Sequence, residues 1–253
     1  MIGKLHLYDF VRYLEYKKAI KKHTKNYDEV IAVDMMLLYL SQFFYTKASF
    51  VSLELTDIEL PLLKAVNNNF IQSVVVQTKQ RYNYLFGSIQ HNTFFVQNAP
   101  IYKPLPTVVK KQNAFLYNGT ATPWFGLYHC LDFVKKYPQF SLTFKGAFAA
   151  AEKATVDELY KEEIDNGVVV FNKEYMESSN MLMFMSQYEI GFCFYDLSFP
   201  KINTFNYHTA PSGKMFAYLA AGVPVIGNDL DGLRVVEDYE AGILIKDFEP
   251  DTI

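Results

Sequence analysis

Apolar residues recur along this chain in two alternating rhythms, one helical and one extended. Between residues 5 and 22, Leu7, Phe10, Val11, Leu14 and Ile20 fall at helical spacing, with Arg12, Lys17, Lys18 and Lys21 elsewhere on the surface. A polar break from His23 to Tyr27 precedes Glu29-Val-Ile-Ala-Val-Asp34, a short run that predicts a buried strand, and Met35–Phe44 predicts a helix. Phe50–Leu55, Ser73–Gln77 and Thr93–Gln97 predict three more strands. Thr56-Asp57 reads as the cap of a helix after the second strand, and Thr78–Leu85 as a helix after the third. Strands alternating with helices in this way predict a parallel sheet of βαβ units.

The rhythm stops at Asn98-Ala-Pro-Ile-Tyr-Lys-Pro-Leu-Pro106, where three prolines fit a linker better than a regular element. It then restarts. Asn113–Tyr117 predicts a strand, Asn118-Gly-Thr a turn, and Thr122 the cap of a helix with Pro123 at its first position. Phe140–Phe144, Gly167–Phe171, Ile190–Phe194, Val223–Ile226 and Gly242–Ile245 continue the strands, with helices at Glu174–Gln187 and Lys214–Ala221. The expected fold is α/β, with two Rossmann-like doubly wound parallel-sheet domains, residues 1–106 and 107–253.

Composition narrows the function classes. Half of the 253 residues are hydrophobic, enough for a sizeable core, and the 22 Phe and 19 Tyr scatter along the chain as core filling does. A formal net charge of −3 gives no reason to expect a nucleic-acid partner. Cys130 and Cys193 lie far apart, and the adjacent His129 does not complete the spacing of a zinc site, so no metal is expected. The N-terminus lacks the pattern of a signal peptide and no apolar run is long enough to span a bilayer, so a soluble or peripheral protein of the cytoplasm is expected. The Lys17–Lys22 run reads as a solvated helix face, or as a patch for peripheral contact with the inner face of an anionic membrane.

In open parallel sheets ligands bind at the carboxyl ends of strands, against helix N-termini. Asn118-Gly119-Thr120 is one such place, since glycine lets backbone N–H groups approach an anion; a plain tight turn is the alternative. His208-Thr-Ala-Pro-Ser-Gly-Lys-Met-Phe-Ala-Tyr-Leu-Ala-Ala-Gly-Val-Pro-Val-Ile226 is more informative, reading as loop, helix, tight turn and buried strand. Ser212 and Gly213 stand where the helix begins and Lys214 adds a full charge on its first turn, an arrangement that suits a diphosphate. Tyr195-Asp196 closes a strand at the same edge, where Asp196 either borders the ligand or caps the next turn. Trp124 reads as a packing residue rather than a sugar-stacking platform.

The stretch from Ser212 to Ile226 resembles the donor-site helix of GT-B glycosyltransferases, particularly the family 4 group of retaining enzymes, whose pattern is roughly Ser-x-Lys-Leu-x-Glu-Tyr-x-Ala-x-Gly-x-Pro-Val-Ile. Gly227–Asp231, Gly232–Glu237, Ala241–Ile245 and Tyr117–Thr120 extend the similarity, as do Val75–Arg81 and Phe95–Pro100 toward the end of the family's first domain. The resemblance implies sugar transfer from a nucleoside diphosphate sugar to a hydroxyl acceptor, a glycan or lipid-linked precursor, without a further cofactor or metal. It implies that Gly119, Thr120, Ser212, Gly213 and Lys214 hold the diphosphate, that His208 and Thr209 face the donor sugar, and that Phe171, Asn172 and Ala217 lie at the base and ribose.

Two departures stand out. Where many family 4 enzymes carry two glutamates this chain has Thr209 and Ala217, and Thr120–Gly126 holds no Arg or Lys of the family's basic pair. The resemblance also implies further βα units before Asp28 and a crossover helix after Ile245, so the chain is expected to be truncated at both ends. A non-catalytic GT-B-like partner subunit and a sugar-nucleotide epimerase are the alternative functions; Thr209 and Ala217 favour the former.

Overall fold

The computed structural model describes residues 7–23, 27–53, 55, 59–199 and 204–253. Helices α1 (Leu7–His23), α2 (Met35–Ser41), α3 (Glu59–Leu63) and α4 (Lys79–Phe86) accompany strands β1 (Glu29–Ala32), β2 (Lys47–Ser52), β3 (Ile71–Val76) and β4 (Asn92–Phe95). The strands pair in sequence order, β1-β2-β3-β4, all parallel. Alternate residues of β2, Ala48, Phe50 and Ser52, are buried, while Lys47, Ser49 and Val51 on the other face stay partly exposed.

Two helix starts explain strand ends that hydrophobicity alone misplaced. Asp34 does not continue β1. Its carboxylate accepts the Leu37 N–H at 2.8 Å and caps α2. Thr78 caps α4 through the Arg81 N–H, as its position before an apolar-periodic run suggests. The Thr56-Asp57 cap lies outside the described residues.

The chain clusters into two units, 1–97 and 98–253, and residues 96–111 carry no regular secondary structure. The second unit comprises β5 (Ala114–Asn118), α5 (Leu127–Lys136), β6 (Ser141–Lys145), α6 (Lys153–Leu159), α7 (Lys161–Asp165), β7 (Val169–Asn172), α8 (Ser178–Met185) and β8 (Ile190–Cys193). It closes with α9 (Thr204–Thr209), α10 (Gly213–Ala220), β9 (Val225–Asn228), α11 (Val235–Asp238) and β10 (Gly242–Ile245). Its six parallel strands lie in the order β10-β9-β8-β5-β6-β7. This is the doubly wound order, with the direction of winding reversing between β5 and β8.

Alternation along β5 sends side chains into two cores. Phe115 and Tyr117 join Leu127, Leu131, Val134 and Phe192 on one face, whereas Ala114 and Leu116 join Met185, Met215, Tyr218 and Val225 on the other. A sheet buried on both faces reads in sequence as continuous apolar runs, as Ala114–Tyr117 and Phe192–Tyr195 do. No helix among the described residues is long and apolar enough to cross a membrane. Lys17, Lys18, Lys21 and Lys22 are all exposed along α1.

Three expectations about this unit need correction. Pro123–Phe125 forms only a short 3-10 turn, and the Thr122 side chain caps nothing; Gly126, at φ 78°, separates that turn from α5. A side chain at 126 would meet the Phe194 Cβ at 2.6 Å, so the break is enforced by packing as well as by backbone conformation. Residues 173–177 remain a loop, and α8 starts only at Ser178. His208 and Thr209 belong to α9 rather than to a loop.

Candidate functional site

At the carboxyl edge of the second sheet, beside the β5/β8 switch, the backbone turns out of β5 at Gly119. Its φ of 127° is one an L side chain rarely adopts, and its N–H is bound to the Lys145 carbonyl at 2.8 Å. A Cβ at 119 would stand 3.2 Å from Cδ of Lys214, so glycine allows the lysine stem to lie against the turn. The turn is held from inside by Tyr218 on α10. Its hydroxyl accepts the Asn118 N–H at 2.6 Å and lies 3.0 Å from the Leu116 carbonyl and 3.3 Å from that of Phe192. Tyr218 fits because position 191 is glycine, where a Cβ would meet its ring at 2.5 Å.

Helix α10 points its N-terminus at the same place. The Ser212 hydroxyl is buried and does not cap the helix; it receives the Tyr195 hydroxyl at 2.7 Å and the Cys193 thiol at 3.2 Å. The backbone N–H groups of Gly213, Lys214 and Thr120 have no acceptor among the described residues. Such groups at a helix start carry partial positive charge and favour an anion.

Lys214 strengthens that preference. The residue keeps part of its surface, but its ammonium is enclosed by the rings of Tyr117, Phe125 and Tyr195, with centroids at 4.9, 4.6 and 4.9 Å, and lies 3.4 Å from the Tyr117 hydroxyl. No carboxylate among the described residues forms an ion pair with it. Burial pushes its pKa below the ordinary lysine value, while the rings offer only partial compensation. The cation is therefore held ready but unneutralised.

A cavity of about 590 Å³ opens beside this turn, lined by Asn118, Gly119, Thr120, Lys145, Gly146, Ala147, Phe148 and residues 173–176 with Met181. Phe171 and Asn172 end β7, just before the lining residues 173–176, and are held by different means. Phe171 stacks on Phe144 at 5.0 Å and packs against Phe148, while the Asn172 carboxamide oxygen accepts from Lys145 Nζ at 2.9 Å and the Glu174 N–H at 3.1 Å.

Gly119, Thr120, Gly213 and Lys214 are thus brought together, with Ser212 beneath them. His208 and Thr209 lie on α9 instead. Thr209 is buried with its hydroxyl on the Phe205 carbonyl at 2.8 Å, and His208 faces Asp231 at 3.5 Å. Ala217, part-buried on α10, packs with the apolar side of the sheet.

Sequence reading missed three contributors: Lys145, Tyr218 and the aromatic box around Lys214. It also missed that Asp196 has two partners. One oxygen caps the turn at Ser198, as expected of that position, and the other binds His129 Nε2 at 2.8 Å, whose ring stacks on Phe248. The Trp124 carbonyl receives the Asp196 N–H at 2.9 Å, while its indole is exposed and lies 6.0 Å from the Phe125 ring. Cys130 and Cys193 are free and buried, and burial raises both thiol pKa values. The described residues contain no cluster of three or more His, Cys, Asp or Glu able to hold a metal.

Solved structures share this architecture. HepE from Anabaena in complex with UDP superposes with a TM-score of 0.67 at 17% identity, covering 94% of this chain and 69% of HepE. TarM from S. aureus, in a mutant form with fondaparinux, alpha-GlcNAc-glycerol and UDP, gives 0.67 at 14% identity over 95% of this chain and 50% of its own. An α,α-trehalose-phosphate synthase (UDP-forming) from Burkholderia xenovorans, with glucose-6-phosphate, gives 0.63 at 8% identity over 98% and 69%. The fold is that of the GT-B glycosyltransferases. No family model and no curated protein matches the sequence itself. At these identities the likeness carries the fold alone.

Proposed function

We propose that the chain binds a nucleoside diphosphate sugar through its second unit and serves sugar transfer from that donor to a hydroxyl acceptor. One observation carries the reading: an enclosed lysine with no carboxylate partner among the described residues stands at a glycine turn, beside helix N–H groups that lack acceptors among those residues. Cleavage of an anomeric carbon–oxygen bond builds charge on the departing diphosphate, and fixed donors aimed there stabilise the transition state more than the ground state. In this reading Gly119, Thr120, Gly213 and Lys214 meet the diphosphate, the cavity beside the turn receives the donor, and Lys214 supplies counter-charge without a metal. The bound UDP in the HepE and TarM structures supports the choice of ligand class.

A thermal-stability titration of the whole chain with UDP, GDP and their sugar conjugates tests this. A ligand bound only by the folded form raises the melting temperature by mass action. A saturable shift with one nucleotide series, lost in Lys214→Met, is the expected result; no shift with any of them sinks the reading. Ala217 and the buried Thr209 hydroxyl favour a second reading, a binding subunit without turnover. Nucleotide binding without donor consumption, in the presence of glycan or lipid-linked acceptors, would establish that one.

A further inference from the structure

The segment Thr120–Gly126, directly after the glycine turn, holds no Arg or Lys. The same cavity nevertheless contains a second cation. Lys145 ends β6 with 1% of its surface exposed, and it is aligned in register with Asn118 of β5 and Asn172 of β7. Alternation puts the three side chains on one face, as a polar rung at the strand ends. Lys145 Nζ donates to two neutral oxygens, Asn172 Oδ1 at 2.9 Å and the Glu174 carbonyl at 2.6 Å, and lies 5.3 Å from the Phe184 ring centroid.

An ammonium has three protons to donate, so one remains. Among the described residues no carboxylate forms an ion pair with Lys145, and burying a lysine without one is costly. Its backbone carbonyl meanwhile fixes the Gly119 N–H at 2.8 Å, so its position and that of the turn are set together.

We propose that Lys145 is the second cation of the nucleotide site, taking up the charge that the segment after Gly119 lacks. This rests on the donor-site reading above. Lys214 flanks the glycine turn from α10, Lys145 lies on the cavity side, and the pair matches the multiple charge of a diphosphate in a way neither does alone.

The test is a calorimetric titration of the whole chain with UDP, GDP and inorganic pyrophosphate, the last having no base to recognise. Lys145→Met is expected to weaken binding of the pyrophosphate group about tenfold or more, as loss of a charge-assisted hydrogen bond does. Asn172→Asp sets a carboxylate at the 2.9 Å acceptor position, neutralising Lys145 where it stands, and is expected to weaken binding comparably. Wild-type affinity in Lys145→Met overturns the proposal, as does an Asn172→Asp chain that melts higher and binds unchanged, the behaviour of a structural clasp. If Lys145→Met fails to fold, Asn172→Asp decides alone. A wild-type chain that binds none of the three ligands overturns the donor-site reading together with this one.

Discussion

The Tyr218 hydroxyl accepts the Asn118 backbone N–H at 2.6 Å and sits between two carbonyls of neighbouring strands, Leu116 and Phe192. One phenol thereby ties α10 to both sides of the switch and sets the path of the chain into Gly119. Replacing it removes the acceptor of the Asn118 N–H and the one proton shared between two buried strand carbonyls. Tyr218→Phe is expected to cost about 1–3 kcal/mol of stability, measured by urea unfolding, and to weaken UDP binding as well. A variant with unchanged unfolding midpoint would show that the hydroxyl holds nothing.

In the proposed site Lys214 would trade stability for binding. A depressed lysine pKa means the unfolded chain holds more protons than the folded one between the two values, so the contribution to stability rises with pH through that window. Anion binding runs the other way, since it favours the protonated form, and is expected to weaken as pH rises through the folded pKa. Lys214→Met is expected to melt higher than wild type without ligand, because it removes an uncompensated buried charge, and to lose the UDP shift. A lower melting temperature would mean that the aromatic box compensates the cation fully.

Gly119→Ala places a Cβ 3.2 Å from the Lys214 stem at a φ of 127°. The strain is expected to cost about 1–3 kcal/mol and to displace Lys214, so that UDP affinity falls further than stability does. Retained affinity, read by the same titration, would show that the turn is not part of the site.

Asp196 gives an acid-side prediction. Its burial pushes the carboxyl pKa up, but hydrogen bonds from Ser198 and His129 outweigh that and hold it below its ordinary value. A depressed carboxyl contributes stability above its unfolded pKa and loses it as pH falls through the folded one. Asp196→Asn is therefore expected to unfold at lower urea than wild type at neutral pH, by about 1–3 kcal/mol for charged hydrogen bonds, with the difference shrinking as pH falls below the ordinary carboxylate range and through the folded pKa. A constant difference across pH would deny the carboxylate its charge-dependent role.

Metal independence belongs to the proposal and has its own check. EDTA is expected to leave the UDP-induced melting shift unchanged, because Lys214 and backbone N–H groups meet the phosphates. Loss of the shift with EDTA, restored by a divalent cation, would assign part of that charge to a metal.

The architecture was legible in the sequence because doubly buried parallel strands write themselves as apolar runs, such as Ala114–Tyr117, and because glycine, proline and a helix start punctuate Ser212–Ile226. Local periodicity therefore determined the two sheets and pointed to Gly119, Gly213 and Lys214. It could not show what those residues meet. Strand ends at Asp34 and helix starts at Leu127 and Ser178 depend on caps and on packing against Phe194, which no local pattern records. No pattern singles out Lys145, just past the Phe140–Phe144 run, and Tyr218 is one of the tyrosines that scatter as core filling does. Only strand order, bringing β6 and β7 beside β5 and β8 on its other side, places Lys145, Tyr218 and the rings around Lys214 at one turn. Those contacts join residues tens of positions apart, and burial of charge is a property of the folded surroundings rather than of the residue.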